Sequence, residues 1–360
     1  MKRILILGNS SVGLYSFRNE LVLELVKKYE VYVSLPDEEF VDEFKAEGCK
    51  IIKTEINRRG VNPVQDIKLF FTYLKLLKEV KPDAVLTYTI KPNVYGGMAC
   101  QIRKVPYLVN ITGLGHALEQ PGPLQVLTKL LYKMGLRKAD TVFLQNQYNM
   151  EFFEKHKITK ANKVLLPGSG VNTTKFTKLP WPEKNAFIFI SRIMKEKGID
   201  EYFYCAQEIR KEYPDTEFHI LGGCEEDYTE ALKREQEKGN IIYHGAVKDV
   251  RPYLENVRCI IHPSSQEGMS NVCLEAAASG RAIITSDCHG CLETLVDGTT
   301  GFTAAVHDKE SFLAAVRKFM EMSSKEQKTF GDAGREYVKN NFNRQIVVDK
   351  YMGRLAELVD

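Results

Sequence analysis

The feature that most restricts the fold is an alternation of short apolar segments with longer stretches of helical periodicity. The first segment, 3–8, ends in a glycine turn, and helical spacing follows over 14–29. Further apolar segments of the first half lie at 30–35, 83–89, 106–112 and 141–146. Strands separated by helices predict a parallel sheet that is covered on both faces.

A second series begins after 166–185, a segment rich in Pro, Gly and Thr that lacks both helical and strand periodicity. Its apolar segments lie at 186–191, 216–223, 241–245, 259–263 and 281–287. A length of 360 residues suits two domains. We therefore predict two doubly wound α/β domains, 1–167 and 185–340, with a cleft between them. The terminal stretch, 343–360, is expected to be helical and to pack back on the first domain.

Composition and charge indicate a globular, cytosolic protein. The chain is 44% hydrophobic and 27% charged, and no uncharged apolar run is long enough to span a membrane. The basic and then apolar N-terminus leads straight into a glycine turn, which favours a first strand over a signal peptide. Residues 1–180 hold 27 Lys and Arg against 17 Asp and Glu, whereas residues 181–360 hold 23 against 30. The basic half predicts an anionic partner, and ordinary variation of surface charge is the alternative.

Eight cysteines are scattered mostly among apolar neighbours, which predicts reduced, buried thiols. Cys288 and Cys291 have the CxxC spacing of a metal or redox site. The chain has no second CxxC and no pair of histidines at ligand spacing, so we expect no metal site.

The turn at 8–14 joins the first strand to a helix and contains the candidate residues Asn9 and Gly13. It has neither the dinucleotide-binding GxGxxG pattern nor a P-loop Lys-Ser/Thr, which disfavours a dehydrogenase or a P-loop kinase. Backbone N–H groups at a helix N-terminus suit an anion. A tight turn that needs glycine for its geometry is the alternative interpretation.

The segment 262–287 predicts a second anion site. After a strand and a loop, Ser270 or Asn271 is a suitable cap for a helix that Gly280 ends. The unpaired amides at its start suit a diphosphate, and a glycine in the loop lets the backbone approach closely. The residues of this cradle are Gly268, Met269, Ser270, Asn271 and Val272.

Glu267 and Glu275 flank this cradle and are better suited to sugar or ribose hydroxyls than to a diphosphate. Taken alone, such glutamates are also typical of solvated helix starts. Arg192 and Lys197 follow another strand and offer positive charge to a leaving diphosphate without a metal. The segment 243–249, which includes His244 and Val247, follows a third strand and offers backbone groups to a base.

Three motifs in this order resemble the retaining GT-B glycosyltransferases of glycosyltransferase family 4. They are SRIMKEKG (191–198), HPSSQEGMSNVCLEAAASGRAIITSD (262–287) and GCLETLVDGTTGF (290–302). Glu267 and Glu275 match the E-x7-E motif of that family. The segments 8–18, 88–100 and 109–118 resemble the branch that builds lipid-linked saccharides for capsule, O-antigen or protein glycosylation.

The resemblance implies specific roles. Arg192 and Lys197 would bind the donor diphosphate, Glu267 would lie by the donor sugar, and Glu275 would hold the ribose. The turn at Gly13 would lie beneath the donor phosphates. His116 is a candidate catalytic histidine, and a structural loop histidine is the alternative.

The resemblance also implies the partners. We expect a UDP-sugar donor, often a UDP-N-acetylhexosamine, an acceptor saccharide on polyprenyl pyrophosphate, no metal cofactor and no nucleic acid. The enzyme would work peripherally on the cytoplasmic face of the inner membrane. Amphipathic stretches at 66–81 and 124–138 are candidates for contact with an anionic membrane, or else they face the core. Candidates for the acceptor pyrophosphate are Arg18, Arg58, Arg59, Lys68 and Lys91.

Two other functions compete with glycosyl transfer. A GT-B UDP-sugar 2-epimerase would bind the same donor without an acceptor, but such an enzyme normally lacks the E-x7-E arrangement preceded by Arg192 and Lys197. A protein that only binds nucleotide sugars is the second alternative, and the complete set of motifs disfavours it.

Overall fold

The computed structural model describes residues 1–57 and 62–359, with the side chain of His116 excepted. The chain forms two compact units. The first contains Met1–Ser169 together with the chain from Gln345 onward, and the second is Gly170–Arg344. The sequence-based boundaries, 1–167 and 185–340, differ from these mainly at the linker, which the structure places with the second unit.

The first unit is built on a seven-stranded sheet with the strand order β3-β2-β1-β4-β5-β6-β7, in which all pairs are parallel. The strands are β1 (Arg3–Leu7), β2 (Glu30–Leu35), β3 (Lys50–Lys53), β4 (Ala84–Tyr88), β5 (Tyr107–Ile111), β6 (Thr141–Leu144) and β7 (Asn162–Leu165). The central strands are fully buried, as expected for a parallel sheet with both faces covered.

Helices cover both faces of this sheet. They are α1 (Ser11–Lys28), α2 (Val41–Ala46), α3 (Pro63–Val80), α4 (Gly97–Arg103), α5 (His116–Glu119), α6 (Pro123–Gly135) and α7 (Gln147–Lys155), with a π-helical turn at Pro92–Gly96. One face packs against α3, α4 and α6. The other packs against α1 and the terminal helix α14 (Arg344–Val359), whose Val347, Tyr351 and Leu355 join Ile4 and Ile6 in one core.

The second unit is built on a six-stranded parallel sheet with the order β10-β9-β8-β11-β12-β13. The strands are β8 (Ala186–Ile190), β9 (Glu217–Leu221), β10 (Ile242–Tyr243), β11 (Cys259–His262), β12 (Ala282–Ser286) and β13 (Gly301–Ala304). The helices are α8 (Ile199–Glu212), α9 (Thr229–Glu237), α10 (Arg251–Leu254), α11 (Asn271–Ala278), α12 (Lys309–Glu321) and α13 (Ser324–Asn341). Short 3₁₀ turns lie at Lys195–Lys197 and Leu292–Thr294.

The two sheets share one topology, because in each the first strand lies between the second and the fourth. The order of the strands therefore reverses at the pair β1/β4 in the first unit and at the pair β8/β11 in the second. Ligands of doubly wound sheets bind beyond the carboxyl ends of the strands at this switch point. The prediction of two doubly wound parallel α/β domains is confirmed, and the topology directs attention to the loops that follow β8 and β11.

Candidate functional site

The loop after β11 ends in a capped helix whose first amides are unpaired. The hydroxyl of Ser270 accepts the N–H of Cys273 at 3.4 Å, and the Ser270 carbonyl accepts the N–H of Leu274 at 3.2 Å. Within the part of the chain that the structure describes, the N–H groups of Met269, Asn271 and Val272 donate no hydrogen bond. These amides and the positive end of the helix dipole form an anion-binding surface.

The side chain of Met269 has a different role from its amide. It is buried in the apolar core of the second unit together with Cys273 and Leu274, and it anchors the loop there. The loop is held from the other side by Gly290, whose carbonyl accepts the N–H of Ser270 at 2.7 Å.

Lys197 is the cation that the fold brings to this loop. Only 7% of it is exposed, and its ammonium donates to Ser264 Oγ at 3.2 Å, to the carbonyl of Gln266 at 3.1 Å and to Glu267 Oε1 at 2.9 Å. Gly198, which follows it, has φ +75°, and a side chain there would lie 2.2 Å from the carbonyl oxygen of Pro263. Glycine therefore allows the loops after β8 and β11 to touch.

Glu267 is held ionised at the centre of this contact. Burial raises the pKa of its carboxyl, but the hydrogen bond from His262 and the charge of Lys197 outweigh burial and lower the pKa to about 2. The His262 Nε2–Glu267 Oε1 distance is 3.2 Å. A carboxylate this acidic is unsuited to carry a proton in catalysis near neutral pH, so its function is to present fixed negative charge.

His262 is a site residue that the sequence interpretation missed. It is the last residue of β11, it is 1% exposed, and its ring lies against Glu267. The sequence contained an indication of this role. A histidine at the carboxyl end of a predicted buried strand, five residues before the glutamate, lies at the edge of the sheet where ligands bind.

Arg192 lies in the same loop as Lys197 but is half-exposed. Its Nη1 lies 3.3 Å from Glu225 Oε2, so its guanidinium takes part in a surface ion pair. Exposed pairs of this kind are weak, and the guanidinium can exchange partners at small cost.

Glu275, in the second turn of α11, has an unusual electrostatic environment. Burial raises the pKa of its carboxyl to about 7, although Arg344 and Lys175 lower it, and Asp249 adds to the rise. Its carboxylate makes no hydrogen bond or ion pair with the described residues. A partly buried carboxylate without a partner is a strong acceptor for ligand hydroxyls.

The segment that contains His244 and Val247 follows β10. The N–H of His244 is bonded to the carbonyl of Ile220 at 3.0 Å, and Val247 packs at the margin of the core. The His244 ring turns towards a cavity of about 550 Å³, where its Nε2 lies 3.0 Å from His219 Nδ1 and Tyr253 packs against it. Burial lowers the pKa of His244. The His244 ring and N–H are therefore engaged within the second unit, and the backbone of Ala246 and Val247 is the part of this segment suited to the role predicted from the sequence.

In the turn after β1, amides at the start of the helix are hydrogen-bonded to side chains of the protein itself. Helix α1 begins at Ser11, whose N–H donates to Asp37 Oδ1 at 2.8 Å. The N–H of Gly13 donates to the Ser10 hydroxyl at 3.3 Å. An aspartate of the chain itself thus occupies part of this helix N-terminus. Asn9 lines a cavity of about 250 Å³ at the carboxyl edge of the first sheet.

The cations predicted to bind the acceptor pyrophosphate have different environments. Lys91 lines the same cavity as Asn9, and its ammonium lies 2.7 Å from Asp66 Oδ1. Lys68 is exposed and 3.6 Å from Glu55. Arg18 is buried, donates to the carbonyl of Phe17 and lies over the ring of Tyr88, so it stabilises the core rather than presenting charge outward.

Three of the predicted residues fall outside this description. Arg58 and Arg59 lie outside the described residues, and so does the side chain of His116, whose backbone begins α5.

Among the described residues, no group of three His, Cys, Asp or Glu side chains could hold a metal ion. The cysteines are free thiols, and all except Cys224 and Cys288 are buried. No helix in the described ranges has the length and apolarity needed to cross a bilayer.

Comparison with known proteins gives a family model for each unit. The model described as "Glycosyl transferases group 1" matches residues 184–322, and the model described as "Glycosyl transferase 4-like" matches residues 3–146. Each unit thus matches a glycosyltransferase family model, and together the two models cover well over half of the chain.

Two curated relatives have sequence similarity over most of their length. One is the N,N'-diacetylbacillosaminyl-diphospho-undecaprenol alpha-1,3-N-acetylgalactosaminyltransferase of Campylobacter jejuni, which is 26% identical over 97% of this chain and 97% of its own. The other is the UDP-Gal:alpha-D-GlcNAc-diphosphoundecaprenol alpha-1,3-galactosyltransferase of Escherichia coli, which is 26% identical over 84% of this chain and 82% of its own.

Among solved structures, a glycosyltransferase from Rickettsia africae superposes with a TM-score of 0.82 at 18% identity, covering 100% of this chain and 99% of that one. The likeness confirms the GT-B fold. The family models describe glycosyltransferases and lend no support to the epimerase alternative. The chain belongs to the group 1, glycosyltransferase 4-like family of GT-B glycosyltransferases.

Proposed function

We propose that this glycosyltransferase moves an N-acetylhexosamine from a UDP-sugar to a saccharide on polyprenyl pyrophosphate, with retention of the anomeric configuration. The observation that carries the proposal is the contact of Lys197 with Glu267 beside the unpaired amides of α11, at the switch point of a glycosyltransferase domain. The names of both relatives specify an acceptor sugar on diphospho-undecaprenol, and one specifies a UDP-sugar donor. The relative of greater coverage transfers N-acetylgalactosamine, which favours an N-acetylhexosamine here.

The donor diphosphate would bind to the start of α11. The amides of Asn271 and Val272 and the helix dipole supply fixed partial positive charge, Lys197 supplies a buried ammonium, and Arg192 can leave Glu225 to reach a phosphate. The charge of the departing UDP is greatest in the transition state. Groups that are already oriented towards it therefore stabilise the transition state more than the ground state.

The two glutamates would position the rest of the donor. Glu267 faces the donor sugar with a permanent negative charge, which suits hydrogen bonds from sugar hydroxyls and an oxocarbenium-like centre. Glu275 accepts hydrogen bonds from the ribose, and the backbone of 244–247 contacts the uracil. The N–H of Met269 completes the backbone cradle beside Gly268. The Ser270 N–H, predicted from the sequence to be part of the cradle, is instead bonded to the Gly290 carbonyl.

The acceptor hydroxyl would attack on the face from which UDP departs, and a donor phosphate oxygen would take its proton. Glu267 is held by Lys197 and His262, so orienting the sugar is a better use of it than covalent attack. The acceptor pyrophosphate belongs to the first unit, where Asn9 and Lys91 line a cavity at the carboxyl edge of the sheet. His116 is proposed to act near the reacting hydroxyl.

A transfer assay tests the proposal. The purified enzyme is given UDP- and GDP-sugars in turn, with a short polyprenyl diphosphate disaccharide as the acceptor, and the anomeric configuration of any product is read by NMR. We expect UDP-N-acetylhexosamine to give the fastest transfer and an α product. A GDP-sugar preference would overturn the donor assignment, and a β product would overturn retention.

Catalysis without a metal is a second part of the proposal. Lys197, Arg192 and the helix N-terminus supply the positive charge that a divalent ion supplies in other transferases. Transfer after treatment with EDTA should equal that of the untreated enzyme. A loss that Mg²⁺ or Mn²⁺ restores would contradict this part alone.

The first unit carries a surface suited to a membrane that holds such an acceptor. Helices α3, α4 and α6 pack over one face of the first sheet, and each exposes apolar side chains. We name these the three-helix face: Val64, Ile67, Phe71, Ile102, Leu124, Val126, Leu127, Leu130 and Met134. The stretch 120–139 holds four Lys and Arg residues and no acidic residue. Apolar side chains among basic ones fit an anionic bilayer surface, and we propose peripheral attachment on the cytoplasmic side.

Flotation with anionic liposomes tests this attachment. Changing Lys129 and Lys133 to Glu should lower binding about tenfold or more, since each Lys near an anionic surface contributes about 1 kcal/mol. Helix α1, which carries the exposed Leu23, packs on the opposite face of the sheet, so L23E is the control for an added carboxylate away from the three-helix face. Equal flotation of both variants and the wild type would remove the three-helix face from the account.

A further inference from the structure

The CxxC motif places two cysteines in one turn next to the donor loop. The N–H of Cys291 donates to the Cys288 carbonyl at 3.1 Å, so the two residues close a turn. The Cα atoms at the ends of such a turn lie within about 7 Å, a separation that a disulfide can bridge. Cys288 is partly exposed and donates to the carbonyl of Ser264 at 3.3 Å, whereas Cys291 is fully buried.

The same turn supports the loop that holds Glu267. Gly290 lies between the cysteines with φ +83°, and a Cβ placed on it would meet the Glu267 carbonyl oxygen at 2.5 Å. Its carbonyl accepts the N–H of Ser270 at 2.7 Å, and its own N–H donates to Glu293 Oε2 at 2.6 Å. A change in the turn therefore acts directly on the backbone from Glu267 to Ser270.

We infer that Cys288 and Cys291 form a site of reversible thiol–disulfide modification that controls the donor loop. The inference rests on the proposed donor site for its consequence, while the modification itself rests only on the turn that Cys288 and Cys291 close and on the partial exposure of Cys288. Neither cysteine has a part in the transfer chemistry proposed above.

The reaction is an exchange with a low-molecular-weight disulfide. The partly exposed Cys288 sulfur attacks one sulfur of the reagent, forms a mixed disulfide and releases one thiol. The Cys291 sulfur then attacks the Cys288 sulfur and releases the second thiol. Two protein thiols are oxidised to one disulfide, the reagent disulfide is reduced to two thiols, and each protein proton ends on a released thiol.

Oxidation would pull on the donor loop. A disulfide holds its sulfurs about 2.05 Å apart, closer than two thiols that are not bonded can approach. Cys288 would lose its thiol proton and with it the hydrogen bond to Ser264, whose hydroxyl also binds Lys197. Gly290 would shift against the Glu267 carbonyl, so the cradle and its cation would move together.

The experiment uses the full chain and oxidised glutathione as the probe. Peptide mass spectrometry after alkylation reads the Cys288–Cys291 disulfide, and calorimetry reads the affinity for UDP before and after oxidation. We expect the disulfide to form, the affinity to fall about tenfold or more because a small misplacement of binding groups is costly, and dithiothreitol to restore it.

Variants separate this pair from the other thiols. C224S removes the exposed cysteine outside the motif and should respond to glutathione as the wild type does. C288S should bind UDP normally and be insensitive to the oxidant, and C291S should stop at the mixed disulfide. No Cys288–Cys291 disulfide in the wild type, or a disulfide with unchanged UDP affinity, would overturn the inference. Failure of the reduced enzyme to bind UDP would instead refute the proposed donor site, and the mass measurement would still test the modification.

Discussion

The two units have the same order of strands around the switch point, but different groups lie at the carboxyl ends of the corresponding strands. In the first unit, the helix after β1 has Asp37 on its first amide, and the cation after β4, Lys91, is paired with Asp66. In the second unit, the loops after β8 and β11 bring Lys197 to Glu267, and the first amides of α11 have no partner among the described residues.

The difference separates a structural turn from a binding site on one scaffold. A glycine-containing strand-to-helix turn occurs in both units, so glycine alone does not identify an anion site. What distinguishes the second unit is that, among the described residues, no carboxylate accepts from the first amides of its helix, whereas Asp37 does so in the first unit. Ligand binding is therefore expected where hydrogen-bond donors remain unsatisfied, and stability is expected where they are satisfied internally.

The largest expected effect is the loss of the buried cation. K197M should lower the rate of transfer about 10²-fold or more, because one preorganised positive group is removed from the departing diphosphate. Steady-state transfer measures this, with K195M as the control: Lys195 is exposed and lies two residues away in the same turn. Equal losses in the two variants would indicate an effect of overall charge and would break the distinction between the units.

K197M should also destabilise the fold. It leaves Glu267 buried without its cation, which costs about 3 kcal/mol in similar buried pairs. The double variant K197M/E267Q should regain most of that stability in denaturant unfolding while remaining inactive. Recovered activity in the double variant would show that Lys197 serves the fold alone.

The second effect is a pH dependence at Glu275. Ligand hydroxyls donate to the ionised carboxylate, so UDP affinity should rise about tenfold between pH 6 and 8 as the carboxyl, with a pKa of about 7, ionises. E275Q should bind with little pH dependence, and the exposed E237Q serves as the control. A pH profile of E275Q that matches the wild type would remove Glu275 from the donor site.

The free energy of unfolding should change with pH in the opposite direction to UDP affinity, because the protonated form of Glu275 is the one that the fold favours. The pKa rises from 4.5 to about 7, so the folded state binds the extra proton between these values. The contribution to stability is fully present below pH 4.5 and is lost as the pH rises through 7. At pH 8, E275Q should therefore be about 1–3 kcal/mol more stable than the wild type.

A smaller effect is expected at the helix start of the first unit. D37A removes the acceptor of the Ser11 N–H and should lower the free energy of unfolding by about 1 kcal/mol. UDP affinity should change by less than about twofold, as expected for a structural cap. D42A, at the exposed first turn of α2, is the control for loss of a carboxylate. Tighter UDP binding by D37A would mean that Asp37 competes with a ligand there.

The smallest effect is expected at Gly13. A methyl group at this position would meet the Ser10 Cβ at an ordinary 3.7 Å, so G13A should fold and gain about 0.5–1 kcal/mol of stability from helix propensity. We expect UDP affinity to change less than about threefold, since a satisfied turn offers little to a phosphate. A loss of tenfold or more would show that the donor lies against this turn, as the family resemblance implies.

The sequence predicted the buried strands well because apolar residues predominate in each of them. It missed β3, β7 and β13, which are edge strands of only four residues. In β3 and β7 only the two central residues are partly buried, so an apolar run never forms. Edge strands are specified by pairing with a neighbour, which local periodicity does not record.

The site was only partly predictable for a similar reason. Lys197 and Glu267 could be assigned to one sheet edge because each follows a buried strand, and β8 and β11 are indeed neighbours. The internal partners, Asp37 for Ser11 and Asp66 for Lys91, come from loops and helices whose positions depend on tertiary packing. The raised pKa of Glu275 likewise depends on burial that no local pattern reveals.

A crystal structure of the enzyme with UDP tests the central claim most directly. The account predicts the diphosphate oxygens about 3 Å from Lys197 Nζ and from the amide of Asn271 or Val272, with the ribose hydroxyls on Glu275. A diphosphate bound at the start of α1, or anywhere away from the ends of β8 and β11, would contradict it.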